Sequence, residues 1–255
     1  MSVLTSDAVI LRTWPVQEAD LIVSFFTRDY GKLRGVAKAA LKSRKRFGGA
    51  LEPMTVARAW FVERPRQELG RLDQLEILSS PLSDAVDVAR MTALSFYAEV
   101  LDEALPEHDP QETVYRLLMG VLAHTSAAEQ SSTAEPQPGG PLMPVTYFAL
   151  WMTRLMGLLP DLGHCTVCGE ELVAGEISFS GYADGLFCGV HAQGNALCED
   201  SWRLAQRMLK QPVAAFASEP WPRRRGQDLR RFAVQALERH LEKKLKSAEA
   251  LARLS

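Results

Sequence analysis

Four side chains able to ligate a metal fall in two short pairs. Cys165-Thr166-Val167-Cys168 is followed, after 19 intervening residues, by Cys188-Gly189-Val190-His191. A CxxC turn curls back so that both thiolates reach one ion, and a CxxH pair completes a tetrahedron of the kind zinc takes. Gly169 follows the first pair and Gly189 lies inside the second, where tight knuckles favour glycine. Four protein ligands leave no open position for water, so the expectation is one structural Zn²⁺ in a ribbon-like insert. The competing reading, two pairs of buried cysteines without a metal, leaves the spacing unexplained. Cys198 stands outside the pattern and reads as a packed thiol, and His164 abuts Cys165 too closely to be a convenient ligand. A zinc deaminase would carry His-x-Glu ahead of Pro-Cys-x-x-Cys, which this chain lacks.

A second group suits a polyanion. Lys32, Arg34, Lys38, Lys42, Arg44, Lys45 and Arg46 stand within residues 32–46, a stretch with no acidic residue. The formal charge of −2 hides a segregation: residues 1–78 carry a net +4, residues 79–200 a net −14 and residues 201–255 a net +8. Each phosphate neutralised by Lys or Arg releases counterions, giving salt-sensitive affinity independent of sequence. Trp14, Phe25, Phe26, Tyr30 and Phe47 lie near enough in sequence for base stacking, although at least half are expected in the core. A further cluster, Arg223-Arg224-Arg225, Arg230-Arg231 and Lys243-Lys244 with Lys246, either extends the footprint, receives an acidic peptide or is solvated helix surface. The bland reading of the first run is a solvated loop.

The elements that would hold these groups change character near Pro81. Ser6–Thr13, Ala19–Thr27, Lys32–Lys38, Met54–Val62 and Leu69–Leu78 read as short strands rich in β-branched and apolar residues, with turns at Arg28–Gly31 and Glu63–Arg66. A short helix near Ala39–Lys45 is the one helical option there. Five strands in so short a span fit an OB-type Greek-key barrel, a DNA-binding domain at residues 1–78. Residues 79–255 read as an α-helical domain with the metal insert at 164–198. Apolar residues at helical spacing mark Ser83–Ala104, Glu112–His124, Pro144–Leu159, Ser201–Gln211 and Gln227–Leu251, and Ala127–Pro141 is a polar Pro/Gly loop. The 47% hydrophobic and 24% charged composition is that of a globular protein. No apolar run reaches membrane-spanning length and no signal peptide is read, so no membrane partner and a cytoplasmic location are expected. GxxxxGK[ST], GxGxxG, GxSxG and HExxH are all absent, and no catalytic role is assigned.

The run from Ala8 to Pro53 resembles the bacterial recombination-repair mediator family RecO. The matching features are Leu11-Arg12, Glu18 with Asp20, Thr27, Gly31-Lys32, Lys38, Lys42-Ser43-Arg44 and Leu51-Glu52-Pro53. The knuckle at Cys165, Cys168 and Cys188 and the arginine-bearing C-terminal helix match as well, whereas residues 80–160 fit only in being helical. His191 stands where the family commonly has Cys, and some members lack the knuckle. The resemblance implies binding of single- and double-stranded DNA, annealing of complementary strands, and partnership with RecR to load RecA onto DNA coated by single-stranded-DNA-binding protein (SSB). It also implies docking of that coating protein's acidic C-terminal tail, and it adds Arg12 to the DNA-binding set. Two other classes stand beside it: a zinc-bearing protein adaptor without DNA contact, and a cryptic zinc hydrolase.

Overall fold

The computed structural model describes residues 2–63, 68–83, 87–127 and 140–254. The positions 64–66 of the expected turn and 128–139 of the expected loop lie outside the described residues. Two compact units divide the chain, Met1–Arg116 and Leu117–Ser255.

In the first unit, β1 (Leu4–Pro15), β2 (Leu21–Thr27), β3 (Gly31–Ala37), β4 (Val56–Val62) and β5 (Gly70–Ser79) close a barrel in the order β1-β2-β3-β5-β4. Neighbours pair antiparallel except β3 and β5, which run parallel over Gly35–Ala37 and Gly70–Leu72. This is the five-stranded OB-type barrel expected from the sequence. Alternating residues supply its interior: Ala8 and Ile10, Val23 and Phe25, Leu33, Ala59 and Phe61, Leu72 and Leu75. Phe25 meets Phe61 edge to face with ring centroids 5.6 Å apart. Phe26, on the opposite face of β2, is also buried and packs against Tyr115.

Between β3 and β4 the chain runs through successive turns rather than a helix. Ala39 has φ 52°, a left-handed value that breaks any helix starting there. Ala40, Phe47 and Ala50 from this segment enter the barrel core, so its apolar residues plug one end while its charged ones face out. On the other side, α1 (Val88–Ala104) is capped by Asp87, whose Oδ1 accepts the Ala89 and Arg90 N–H groups at 2.6 and 3.2 Å. The expected start at Ser83 is thus several residues early, because the cap at Asp87 sets the helix. After α1 the chain runs beside β3. His108 N–H donates to Lys32 O at 3.0 Å, and a Cβ on Gly31 would lie 2.3 Å from Asp109 O. Gly31 is therefore needed for close backbone approach.

α2 (Glu112–Ala127) spans the division between the units. The second unit contains α3 (Leu142–Leu155), a short antiparallel pair β6 (Ile177–Phe179) and β7 (Asn195–Leu197), α4 (Glu199–Met208), α5 (Gln227–His240) and α6 (Lys246–Leu254). α3 packs on α5 and is the most buried of these helices. Its Tyr147 hydroxyl donates to Gln211 O and its Trp151 indole to Met208 O, each at 3.0 Å. The single helix expected over Gln227–Leu251 is instead two. Glu242 adopts φ 50°, and the Glu238 carboxylate accepts the Leu245 N–H at 3.0 Å and the Lys244 ammonium at 2.6 Å. That carboxylate satisfies the chain where α5 has ended and α6 has yet to begin. Among the described residues no helix is long and apolar enough to cross a membrane.

Candidate metal centre and nucleic-acid interface

The metal centre is built by two knuckles. Cys165 N–H donates to Glu170 O and Gly169 N–H returns to Cys165 O, both at 2.8 Å, while His191 N–H donates to Cys188 O at 3.0 Å. Gly169 supplies the positive φ that turns the first knuckle. Ser178, on β6, pairs with Phe187 and so brings the second knuckle to the first. The ligand atoms of Cys165, Cys168, Cys188 and His191 all lie within 4.8 Å of one another. Cys168 Sγ is 3.9 Å from Cys188 Sγ, and His191 Nδ1 is 3.4 Å from Cys188 Sγ and 3.9 Å from Cys165 Sγ. Metal–ligand bonds of zinc length imply tetrahedral edges of about 3.8 Å between sulfurs and about 3.6 Å between sulfur and nitrogen. The donor set therefore fits a tetrahedral soft metal, bound through Nδ1 of His191.

The electrostatics favour thiolates at Cys165 and Cys188, whereas desolvation and the neighbouring Cys165 and Cys188 raise the Cys168 thiol. Backbone N–H groups of Cys168, Cys188 and Val167 point at Cys165 and push its thiol down to about 6. The His191 backbone N–H, then its imidazole, lowers Cys188. The Cys188 thiolate in turn raises His191 when no metal competes, and a metal replaces that proton. His164 lies outside the group, its Nδ1 2.6 Å from Asp161 Oδ2. Cys198 corrects the expectation of a packed thiol: it is exposed at the start of α4, with its backbone N–H on Asp228 Oδ2 at 2.7 Å.

The basic residues divide into four kinds. Lys38, Lys42, Arg44 and Lys45 are exposed on the β3–β4 segment, with no ion-pair partner among the described residues. Arg46 braces that segment: Nε donates to Ser43 Oγ at 3.0 Å and a terminal nitrogen to Lys38 O at 2.6 Å, with the guanidinium over the Phe47 ring. Asp20 Oδ1 accepts the Ala39 N–H at 2.7 Å, which ties the segment to the β1–β2 turn. The third kind lies on strands and meets acids. Arg12 is 3.8 Å from Asp102 and 4.0 Å from Glu103, and Arg34 is 3.0 Å from Glu107.

Lys32 departs from the expected DNA-binding set altogether. Only 4% exposed, it donates its ammonium to the Asp102 backbone oxygen, and burial lowers its pKa. It anchors α1 to β3 and offers no charge to solvent. The stacking expectation narrows as well. Phe25, Phe26 and Phe47 are buried, Tyr30 packs edge-on against Phe61, and Trp14 lies partly exposed beneath Arg12. Sequence reasoning missed the acidic partners Asp102, Glu103 and Glu107, which no local pattern links to residues so far upstream.

The C-terminal cations are mostly engaged too. Arg225 pairs with Glu219 and covers Trp221, Arg239 meets Asp184, Arg231 donates to Asn195 Oδ1 at 3.1 Å, and Lys244 meets Glu238. Arg230, 6% exposed, donates to Thr146 Oγ1 at 3.1 Å and Arg225 O at 3.2 Å, and burial lowers its pKa to about 10. Arg223 and Arg224 remain exposed.

An OB-type barrel bearing an exposed basic loop, joined in one chain to a helical unit with a Cys₃His cluster able to hold a metal ion, defines the class of protein. Residues 1–81 match the family profile "Recombination protein O N terminal" and residues 85–249 match "Recombination protein O C terminal". The chain is 49% identical over 251 residues to the DNA repair protein RecO of Koribacter versatilis, covering 98% of each. It is 31% identical to the DNA repair protein RecO of Anaeromyxobacter dehalogenans (strain 2CP-C), covering 93% of this chain and 91% of the other. A third, from Syntrophotalea carbinolica, is 28% identical over 98% of this chain and 95% of its own. The chain belongs to the recombination protein O family.

Proposed function

We propose that the chain is a recombination-repair mediator that binds single- and double-stranded DNA through the β3–β4 segment of its barrel. The observation that carries this is the set of four exposed, unneutralised cations, Lys38, Lys42, Arg44 and Lys45, on a segment fixed at the barrel end. Such a surface lowers the repulsion between two phosphate backbones, so complementary strands meet and anneal without covalent chemistry. In this reading Arg12 and Arg34 contribute only when DNA competes with their carboxylates, and Lys32 contributes nothing directly. The protein acts in the cytoplasm, at the nucleoid, with RecR, and loads RecA indirectly onto strands coated by SSB.

One Zn²⁺ serves as a structural clip, held by Cys165, Cys168, Cys188 and His191, and supplies folding energy to the hairpin around it. The SSB acidic tail has a receiver in the second unit. A cavity of about 300 Å³ between α5 and α6 is lined by Val145, Val234, Ala248 and Leu251, with Arg230, Arg231 and Lys244 in its wall beside Glu238, which holds Lys244, and Glu249. Apolar walls with a buried guanidinium suit an apolar residue bearing a carboxylate.

The test is binding of a fluorescent single-stranded oligonucleotide across a salt series, comparing wild type with Lys42→Ala/Arg44→Ala/Lys45→Ala. With three fewer phosphates neutralised, the slope of log K against log salt flattens by about 2 for a single strand. An unchanged slope in a folded variant removes the barrel segment from the DNA footprint and favours the adaptor reading.

A further inference from the structure

We infer that the face of the metal hairpin carrying Val167, Val173 and Val190 docks a basic protein segment: an aliphatic anchor residue flanked by Lys or Arg. This does not rest on the DNA-binding reading of the barrel. Val190 is 88% exposed, Val173 61% and Val167 55%. Val167 precedes the ligand Cys168 and Val190 precedes the ligand His191, and the 3.9 Å separation of Cys168 and Cys188 holds the two knuckle tips together. Val173 joins them through Glu176. The Glu176 N–H donates to Val173 O at 3.1 Å, and its Oε2 is 3.1 Å from where a Cβ on Gly189 would stand. Single exposed valines need no explanation, but three on neighbouring turns, the two knuckles and the turn from Val173 to Glu176, form a patch.

The charge around the patch decides what covers it. Residues 155–200 hold seven Asp or Glu and no Lys or Arg. Asp184 is bound by Arg239 and Asp161 by His164, whereas Glu170, Glu171 and Glu176 are exposed with no cationic partner among the described residues. A divalent ion on three thiolates and a neutral imidazole leaves one further negative charge. A hairpin that touched nucleic acid would surround its knuckles with basic side chains; this one would repel a phosphate backbone. A cationic protein segment with an apolar anchor satisfies both the valines and the carboxylates.

The experiment selects short random peptides displayed on phage against the full-length, metal-loaded chain, with Val167→Asp/Val190→Asp as counter-selection. Enriched peptides should combine an aliphatic residue with flanking Lys or Arg. A synthetic peptide of the enriched sequence should bind about tenfold more weakly to Val190→Asp and to Glu170→Lys/Glu171→Lys. Metal content and melting temperature of each variant are read alongside; where Val190→Asp loses metal, Val190→Ala takes its place. Enrichment that ignores the variants, peptides without basic residues, no enrichment at all, or a single-stranded oligonucleotide whose affinity falls in metal-replete Val190→Ala overturns the assignment.

Discussion

The β3–β4 segment and the stretch from Arg223 to Lys246 look alike as strings of letters, since both are dense in Lys and Arg. Folded, they do opposite things. The first keeps Lys38, Lys42, Arg44 and Lys45 in solvent without a counter-charge among the described residues. The second gives Arg225 to Glu219, Arg239 to Asp184 and Lys244 to Glu238, and buries Arg230 among α3 and α5. Charge density in a sequence is therefore not charge on a surface. What separates the two is the reach of distant carboxylates, few of which come near the barrel's loop. One set of cations should hold DNA, the other should hold the fold, and mutations can pull those roles apart.

The largest effect should come from the proposed metal, because the hairpin it would clip provides Asn195 and Asp184, the partners of Arg231 and Arg239. Removing the ion with a strong chelator should cost several kcal/mol of stability in the hairpin. It should also release both arginines, so that salt-sensitive DNA binding rises as the melting temperature falls. A chelated protein with an unchanged melting curve would mean that Cys165, Cys168, Cys188 and His191 do not clip the fold. Next in size is Arg230→Ala, which empties a buried site and removes the donor to Arg225 O and to Thr146 Oγ1, whose own hydroxyl keeps its bond to Leu142 O. A loss of about 3 kcal/mol is expected in denaturant unfolding, with the DNA salt slope unchanged.

The loop variant Lys42→Ala/Arg44→Ala/Lys45→Ala should show the reverse pattern. Its stability should stay within about 0.5 kcal/mol of wild type, since exposed residues without partners contribute little. Its duplex salt slope should flatten by about 3, because each phosphate left without its cation lowers the slope by roughly one. If the loop variant lost stability and the Arg230 variant lost slope, the division of labour would be inverted.

The barrel was legible because its code is local. Short runs rich in β-branched and apolar residues, as in Val9–Leu11 and Leu21–Thr27, with turns between, specify strands without reference to the rest of the chain. The metal set was legible for the same reason, as both pairs carry their geometry in their spacing. Gly31-Lys32 was readable as a motif but not in its role. Gly31 is required by Asp109 and Lys32 by Asp102, partners that only folding brings near. The break at Glu242 was hidden because Glu238 fits a continuing helical pattern while its carboxylate turns to cap the next helix. The charge map erred wherever a neutralising carboxylate lay far away in sequence.

That error suggests the subtlest test. Glu103 and Glu107 hold Arg12 and Arg34 by half-exposed contacts, at 4.0 and 3.0 Å. Exposed pairs of this kind are worth at most about 1 kcal/mol, so Glu103→Gln/Glu107→Gln should leave the melting temperature nearly unchanged. The two guanidiniums should then answer to solvent and to phosphate. Lys32 should remain silent, because its ammonium is held by a backbone oxygen that neither substitution touches. Arg12 keeps Asp102 as a second partner at 3.8 Å, so Arg34 should be released more fully. The duplex salt slope should therefore steepen by about 1, in the direction opposite to the loop variant. A slope that stays put would place the strand arginines outside the DNA path even when free, and would confine the footprint to the β3–β4 segment.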